Sequence, residues 1–473
     1  MPVDSIVLAL LSTQRGAGTG DRRMVNVLTE AIPDELKRET YFSALKRPGV
    51  TQHLQPAGAS VVGRGVYGWG ATGRLYSVGG DRIYANDSAI GATLAASTGR
   101  AWFTETPATS SAQLLIVSDG TDNYNITTGD SVTQIDENDT TAYPTPNLGP
   151  IGYLDQYLIQ AQSNGKVWNF DLNDFTTVSA ASFLTAAEKG DDLEATLVQK
   201  DRVIAFGKDS ISFYYNRGNP TGSPFQRIEQ NRIGFGLAAK ETLAWFGDLA
   251  MFVSESTKSG RSVWMLQAGS LSEISNSVLN RFLNNEGTSI SSASAWIGRV
   301  RGQLVYVLNL SSADRSFVYN ISSSRWDGEW QDASGSGIFN IVSSASMDGA
   351  LYLQHGTNGK IYTIPDTQYQ DDGTTHTVTF QTEGRDYETS SLKTVRYVEL
   401  IGDTQSSGTA TLEYSDDDFT TFTTLGTFDL TSEVKRIYRG LVYKGKRAWR
   451  LTHAQNTDFR VKALRIVYEV GEH

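Results

Sequence analysis

The sequence predicts an all-β chain: a β-propeller of six or seven blades, followed by a C-terminal β-sandwich and preceded by an irregular N-terminal arm. Three observations predict it. Hairpin-shaped stretches recur at intervals of 39 to 55 residues from Leu75 to Leu351, the period of a propeller blade. The composition, with 45 Gly, 9 Trp, 21 Tyr and 19 Phe and few candidate long helices, is that of many short strands joined by turns. Beyond residue 370 the hairpins give way to longer alternating strands.

LYSVGGDRIY, from Leu75, shows the repeated design. Apolar residues alternate on either side of a Gly-Gly-Asp turn, as in a tight hairpin. The same plan returns in LLIVSDGTDNYNI from Leu114, YLIQAQSNGKVWNF from Tyr157 and VIAFGKDSISFYY from Val203. It returns again in LAMFVSESTKSGRSVWML from Leu249, LVYVLNLSSADRSFVYNI from Leu304 and LYLQHGTNGKIYTI from Leu351. A ring of such hairpins would remove the open sheet edges that a linear row exposes.

These limits divide the chain into an arm (1–50), a propeller (51–370) and a sandwich (371–473). The arm has no hairpin rhythm: a short apolar run, a Gly-rich stretch RGAGTGDRR, then a segment with a helix start at Pro33 to Lys37, where Pro and acidic residues favour a first turn. In the sandwich region TVTFQTEG, TVRYVELIG, TATLEYS, RIYRGLVYK, RAWRLTHA and RVKALRIVYEV follow one another without helices.

Val25-Asn26-Val27-Leu28-Thr29-Glu30, then Leu45-Lys46-Arg47-Pro48-Gly49-Val50 leading into the aromatic-rich hairpins, resembles the opening of the tail nozzle, or packaged-DNA stabilisation, proteins of short-tailed bacteriophages. Asn26, Glu30, Pro48 and Gly49 mark that opening. The resemblance implies a propeller body in a homo-oligomer, a hexameric ring beneath the phage portal or adaptor, with tail fibre, spike or needle proteins as further neighbours. It implies a virion protein made in the host cytoplasm.

Charge and composition narrow the function classes. The net charge is −11, against the basic balance of a protein that grips phosphates. Residues 51–380 carry 21 basic and 32 acidic side chains, while 1–50 and 381–473 are each near balance. If copies surround a channel, an acidic wall lets duplex DNA pass without tight binding. With no cysteine, disulfides and thiolate metal sites are excluded. The apolar run Ser5 to Leu11 is too short to span a bilayer, so a soluble, unexported protein with no membrane partner is expected.

Catalytic chemistry finds little support. The five histidines lack metal-ligand spacing, and GxSxG, HExxH and P-loop patterns are missing, so no catalytic, cofactor-binding or metal residue and no cofactor is assigned. Trp69, Trp168, Trp245, Trp264, Trp296, Trp326 and Trp330 read as core between blades. The alternative is a carbohydrate-acting propeller enzyme or lectin with an accessory sandwich, and a monomeric scaffold is a third reading. EYSDDDFTTF, with Asp416, Asp417 and Asp418, resembles an Asp-box hairpin with Phe419 in place of its Gly, and reads as a structural turn.

Two surfaces are candidates for assembly. Lys435, Arg436, Arg439, Lys444, Lys446, Arg447 and Arg450 fall within sixteen residues and predict a docking surface for an acidic partner or neighbouring subunit, against the plainer reading of a solvated strand face. Of three inserts, 136–149, 217–236 and 275–294, the second is too rich in Gly and Pro for a central strand. It is expected to project as a gate loop with Arg217, Asn219, Pro220, Pro224, Phe225, Arg227 and Arg232. The third, with Val278, Leu279, Phe282 and Leu283 at helical spacing, predicts a short helix.

Overall fold

The computed structural model describes residues 3–8, 14–16, 20–32, 42–56, 60–107, 113–140, 142–186, 192–229, 233–333 and 337–471. Alternating apolar residues, broken every few positions by Gly, Asn or Asp turns, build successive antiparallel sheets at 63–90, 102–135, 147–185, 193–227, 236–273, 294–330 and 341–363. These are seven blades, and the seven predicted hairpins supply the second and third strands of each in turn.

The seventh blade borrows its outermost strand. Thr51–Leu54 pairs with Ile361–Thr363, so a strand that precedes blade one in sequence closes the ring on blade seven. Apolar cores fill the gaps between neighbouring blades all the way round. The one between blades seven and one is thin: Val66, Leu75 and Ile361 are its buried members, with Leu54, Ala345, Met347 and Tyr352 beside them. At about 1.5–3 kcal/mol per buried large side chain, this seam gains least from burial. Hydrogen bonds supplement it: Gly65 N donates to Gln354 Oε1 (2.7 Å), and Gln354 Nε2 donates to the Val78 carbonyl (3.0 Å).

The remaining strands interlace the two ends of the chain. One four-stranded antiparallel sheet runs in the order Val3–Val7, Ala463–Val470, Lys393–Ile401, Lys435–Tyr443. A second run places Gly20–Val25 beside Val378–Gln381, then Ala448–His453, Thr409–Ser415 and Thr423–Asp429. The two share a core of Ile6, Met24, Val398, Leu412, Trp449 and Ile466, among others. A third, small sheet joins Val27–Ala31, Phe42–Lys46 and Arg460–Val461.

The N-terminal segment is therefore not an irregular arm. Its strands were too short to show a rhythm of their own, and Val3–Val7, Gly20–Val25 and Phe42–Lys46 each have a pairing partner hundreds of residues away. Nor are the terminal sheets detached from the propeller, because Val25 pairs in parallel with Glu329 of blade six. Gly328, with φ of 89°, sits where a Cβ would meet the Met24 carbonyl oxygen at 2.1 Å; only glycine permits that approach. The helix start at Pro33 to Lys37 lies outside the described residues.

The third insert does form a helix, Ser277–Asn285. Asn276 caps it by accepting from Val278 N and Leu279 N, and Leu279 and Leu283 point into the core between blades five and six. Of the seven tryptophans expected between blades, Trp69, Trp168, Trp296 and Trp330 are buried, while Trp245, Trp264 and Trp326 are half-buried against the inter-blade cores.

Candidate assembly surfaces and the propeller junction

The propeller axis is closed by side chains. Trp102 of blade two stacks on Trp245 of blade five, with centroids 5.9 Å apart and planes at 16°. Arg100 reaches across to donate from Nη1 to the carbonyls of Glu241 and Ala295, both at 3.1 Å, while its backbone N donates to Glu241 Oε1 at 3.0 Å. What remains is a cavity of about 310 Å³ lined by Tyr67, Phe103, Trp245, Phe246, Ser344 and neighbours. A duplex cannot thread this propeller along its axis.

The family-like opening builds the junction between propeller and terminal sheets. Asn26 adopts φ of 58°, in the left-handed region that Asn tolerates better than most residues. That turn lets its side chain reach three ways: Oδ1 accepts from Arg47 Nε (2.9 Å) and Gln331 N (2.8 Å), and Nδ2 donates to the Thr377 carbonyl (2.9 Å). Arg47, 1% exposed, donates to both carboxylate oxygens of Asp371 (2.9 and 2.5 Å) and to the Gln331 carbonyl (2.7 Å), with its guanidinium against the Phe339 ring. One residue thus ties the N-terminal segment, the exit of blade six and the turn that leads into the C-terminal strands.

Electrostatics at the junction follow from this packing. Burial is the largest single influence on the Asp371 carboxyl and acts to raise it, but the charge and hydrogen bonds of Arg47 together with those of His376 outweigh it and hold the group well below the carboxylate range. Burial, aided by Arg47, pushes His376 down to about 4 and Lys46 down to about 8. Gly49 is placed by contact: a Cβ there would lie 2.1 Å from the Gln370 carbonyl oxygen. Pro48 offers its carbonyl to Arg47 Nη1 (3.0 Å). Glu30 is exposed, 3.9 Å from Arg460.

The basic cluster separates into three groups. Lys435 and Arg447 are buried: Lys435 Nζ donates to the Gly402 carbonyl (3.4 Å), and Arg447 forms a bidentate pair with Asp416 (2.7 Å each) among Tyr414, Tyr443 and Trp449. Arg436 and Arg450 pair with Glu399 and Glu413. Arg439, Lys444 and Lys446 are exposed. Alternation along the strands and the bulge between Val395 and Tyr397 send the cations to both faces, so seven neighbours in sequence are not one patch in space.

Blade four absorbs part of the expected gate loop. Phe225–Arg227 is its outermost strand, paired with the end of Ile211–Asn216. Phe225 is buried against Tyr157, and Arg227 Nη2 donates to the Tyr214 hydroxyl (2.9 Å). Among the described residues of the insert, the turn before it stands out, with Arg217 Nη1 donating to Gln226 Oε1 (2.5 Å) and Asn219 Nδ2 to the Ser223 carbonyl (3.2 Å) around Pro220 and Pro224. Arg232 lies outside the described residues.

In the Asp-box-like hairpin, Asp417 accepts from Ser415 Oγ (2.8 Å), Thr421 N (3.0 Å) and Thr421 Oγ1 (2.6 Å), and the Thr421 bonds lead in lowering its carboxyl to about 2. Its oxygens are used within the turn. Sequence reasoning missed Arg47, Asp371 and Arg100. Arg47 stood inside the quoted motif beside Lys46, a pair of cations in an otherwise apolar stretch, which was the available signal; nothing local marked Asp371 as its mate.

The family model described as Phage_stabilise, Bacteriophage P22 Gp10, beta-propeller, matches residues 21–338. No curated protein matches the chain. Among solved structures, a catalytically inactive virginiamycin B lyase from Staphylococcus aureus with quinupristin is 10% identical with a TM-score of 0.43, covering 66% of this chain and 97% of that one. The N-terminal domain of Nup159 is 11% identical with a TM-score of 0.41, covering 72% and 98%. The extracellular domain of a putative hybrid two-component system from B. thetaiotaomicron is 12% identical with a TM-score of 0.45, covering 78% and 46%.

Proposed function

Because the chain belongs to the phage packaged-DNA stabilisation family of the P22 Gp10 β-propeller, whose members are structural proteins of the tail nozzle, we propose that its copies form a ring, a hexamer, below the portal or adaptor. That ring lines the DNA channel, retains the packaged genome and lets it pass on ejection. The observation that carries this reading is the family match over residues 21–338.

Two physical features support it. Each copy brings a formal charge of −11, so a lumen lined by propellers repels duplex DNA, and no counterion release rewards sticking. The blocked propeller axis sends the channel between subunits, where ring geometry sets its width. Retention falls to loops that reach the lumen, with the turn 217–224 as the gate element. Arg439, Lys444 and Lys446 belong to the docking side, facing an acidic neighbour. The propeller, closed by Thr51–Leu54, and the interlaced terminal sheets act as separate working parts, body and platform.

A mobility-shift titration tests the channel chemistry: at moderate salt the purified protein should leave duplex DNA unretarded. Tight binding would sink the sliding-wall reading. Deleting 217–224 should leave particle assembly intact and let packaged DNA leak; loss of ring attachment instead would put the gate on the wrong end.

A further inference from the structure

We propose that copies of this chain join edge to edge, the strand Lys435–Tyr443 of one copy pairing antiparallel with Val3–Val7 of the next, so that the terminal sheet runs on from subunit to subunit. The proposal rests on the ring reading and names its contact.

Strand polarity carries the argument. Val3–Val7, Ala463–Val470, Lys393–Ile401 and Lys435–Tyr443 are linked by three successive antiparallel pairings, so the two edge strands run in opposite directions. Among the described residues neither has a hydrogen-bonded neighbour on its outer side. A second copy brought alongside by rotation about a ring axis that runs along these strands keeps its strand directions, and its Val3–Val7 then arrives antiparallel to Lys435–Tyr443. Such backbone pairing is the addition of a strand to an open edge, and a head-to-tail contact of this kind closes into a ring when the rotation permits.

The side chains fit the same contact. Tyr438 is 66% exposed, Val442 56% and Val3 55%. Ile437, like Ile6 on the other edge, turns inward to the shared core, which sends Tyr438 and Val3 to the outer face. Edges that must stay unpaired are blunted by charge, and this strand does carry Arg436 and Arg439. Yet it places large apolar groups in water beside them, and Tyr with Arg is the composition of a contact surface. The charges on these edges are largely used within the subunit, Asp4 by Arg385 (3.0 Å) and Arg436 by Glu399 (2.9 Å), so backbone pairing and the exposed Tyr438, Val442 and Val3 carry the contact.

The absence of cysteine allows a clean test on the full chain. Ser5→Cys and Tyr438→Cys place thiols at exposed positions on the two edges, and a short bismaleimide joins them where they meet. The double variant should give a ladder of cross-linked multimers, a mixture of the two single variants should stop at dimers, and neither single variant alone should cross-link. Tyr438→Glu, with an unchanged thermal melt, should move the association midpoint about tenfold or more toward higher concentration by light scattering. Cross-linking of Tyr438→Cys alone means like-with-like pairing and overturns the proposal. Assembly of Tyr438→Glu equal to the parent, with no ladder from the double variant, overturns it while leaving the ring intact. A parent chain that is monomeric at every concentration removes the ring reading and this contact together.

Discussion

The seven blades and the terminal sheets are both antiparallel β-structure, yet they are assembled by opposite rules. Six blades are each one contiguous stretch of chain, and only Thr51–Leu54 travels to complete the seventh. In the terminal sheets Val3–Val7 meets Ala463–Val470, and Gly20–Val25 meets Val378–Gln381. Local pairing needs little loop closure, whereas pairing across the whole chain orders long loops before any contact rewards it. The terminal sheets have an apolar core of their own, but their junction with the propeller adds a specific polar clamp, the Asn26–Arg47–Asp371 network, where neighbouring blades meet through apolar cores. Propeller and platform should respond differently to the same perturbation.

Breaking the clamp should have the largest effect. Arg47→Ala leaves Asp371 buried without its cation, which costs about 3–5 kcal/mol. By urea unfolding with hydrogen exchange, protection should fall in Thr51–Leu54 and Val378–Gln381 while 102–227 keeps its own. Equal loss across all blades would show that propeller and terminal sheets unfold as one unit, and the contrast would be gone.

Acidification gives the next effect, with opposite signs on the two sides of the junction. Asp327 in blade six, buried and accepting from Thr29 and Asn320, has its carboxyl raised by burial to about 6. A raised carboxyl contributes stability that is complete below its unfolded value and lost as pH climbs through 6. His376, lowered by burial and then by Arg47 to about 4, contributes stability present above its unfolded value and lost as pH falls through 4. Each is worth up to about 3 kcal/mol between pH 7 and pH 4. Relative to the parent over that window, Asp327→Asn should lose stability on acidification and His376→Gln should gain it. Parallel slopes in all three proteins would discard the assignment.

The smallest effect is confined to one rim. Asn276→Ala removes the cap of Ser277–Asn285 and should cost about 1 kcal/mol, read as a lower melting temperature with faster exchange in that helix only. Spread of the loss to the terminal sheets would tie the regions more closely than their cores indicate.

By itself the sequence determined the blades. The alternation in LYSVGGDRIY and its six relatives specifies strand, turn and face within ten to twenty residues, because a hairpin's register is set by its own turn. It also marked the C-terminal strands, apart from Thr423–Asp429, whose TTLGTFD lacks clean alternation. The tertiary structure alone decided the rest: the seventh blade's borrowed strand, the N-terminal strands hidden in an apparent arm, the pairing of Arg47 with Asp371, and the division of a basic run into buried, paired and free cations. Each of these depends on which distant segment arrives at a given edge or face. Local periodicity holds no record of that, since a short strand's pattern states which face it buries but not against whom.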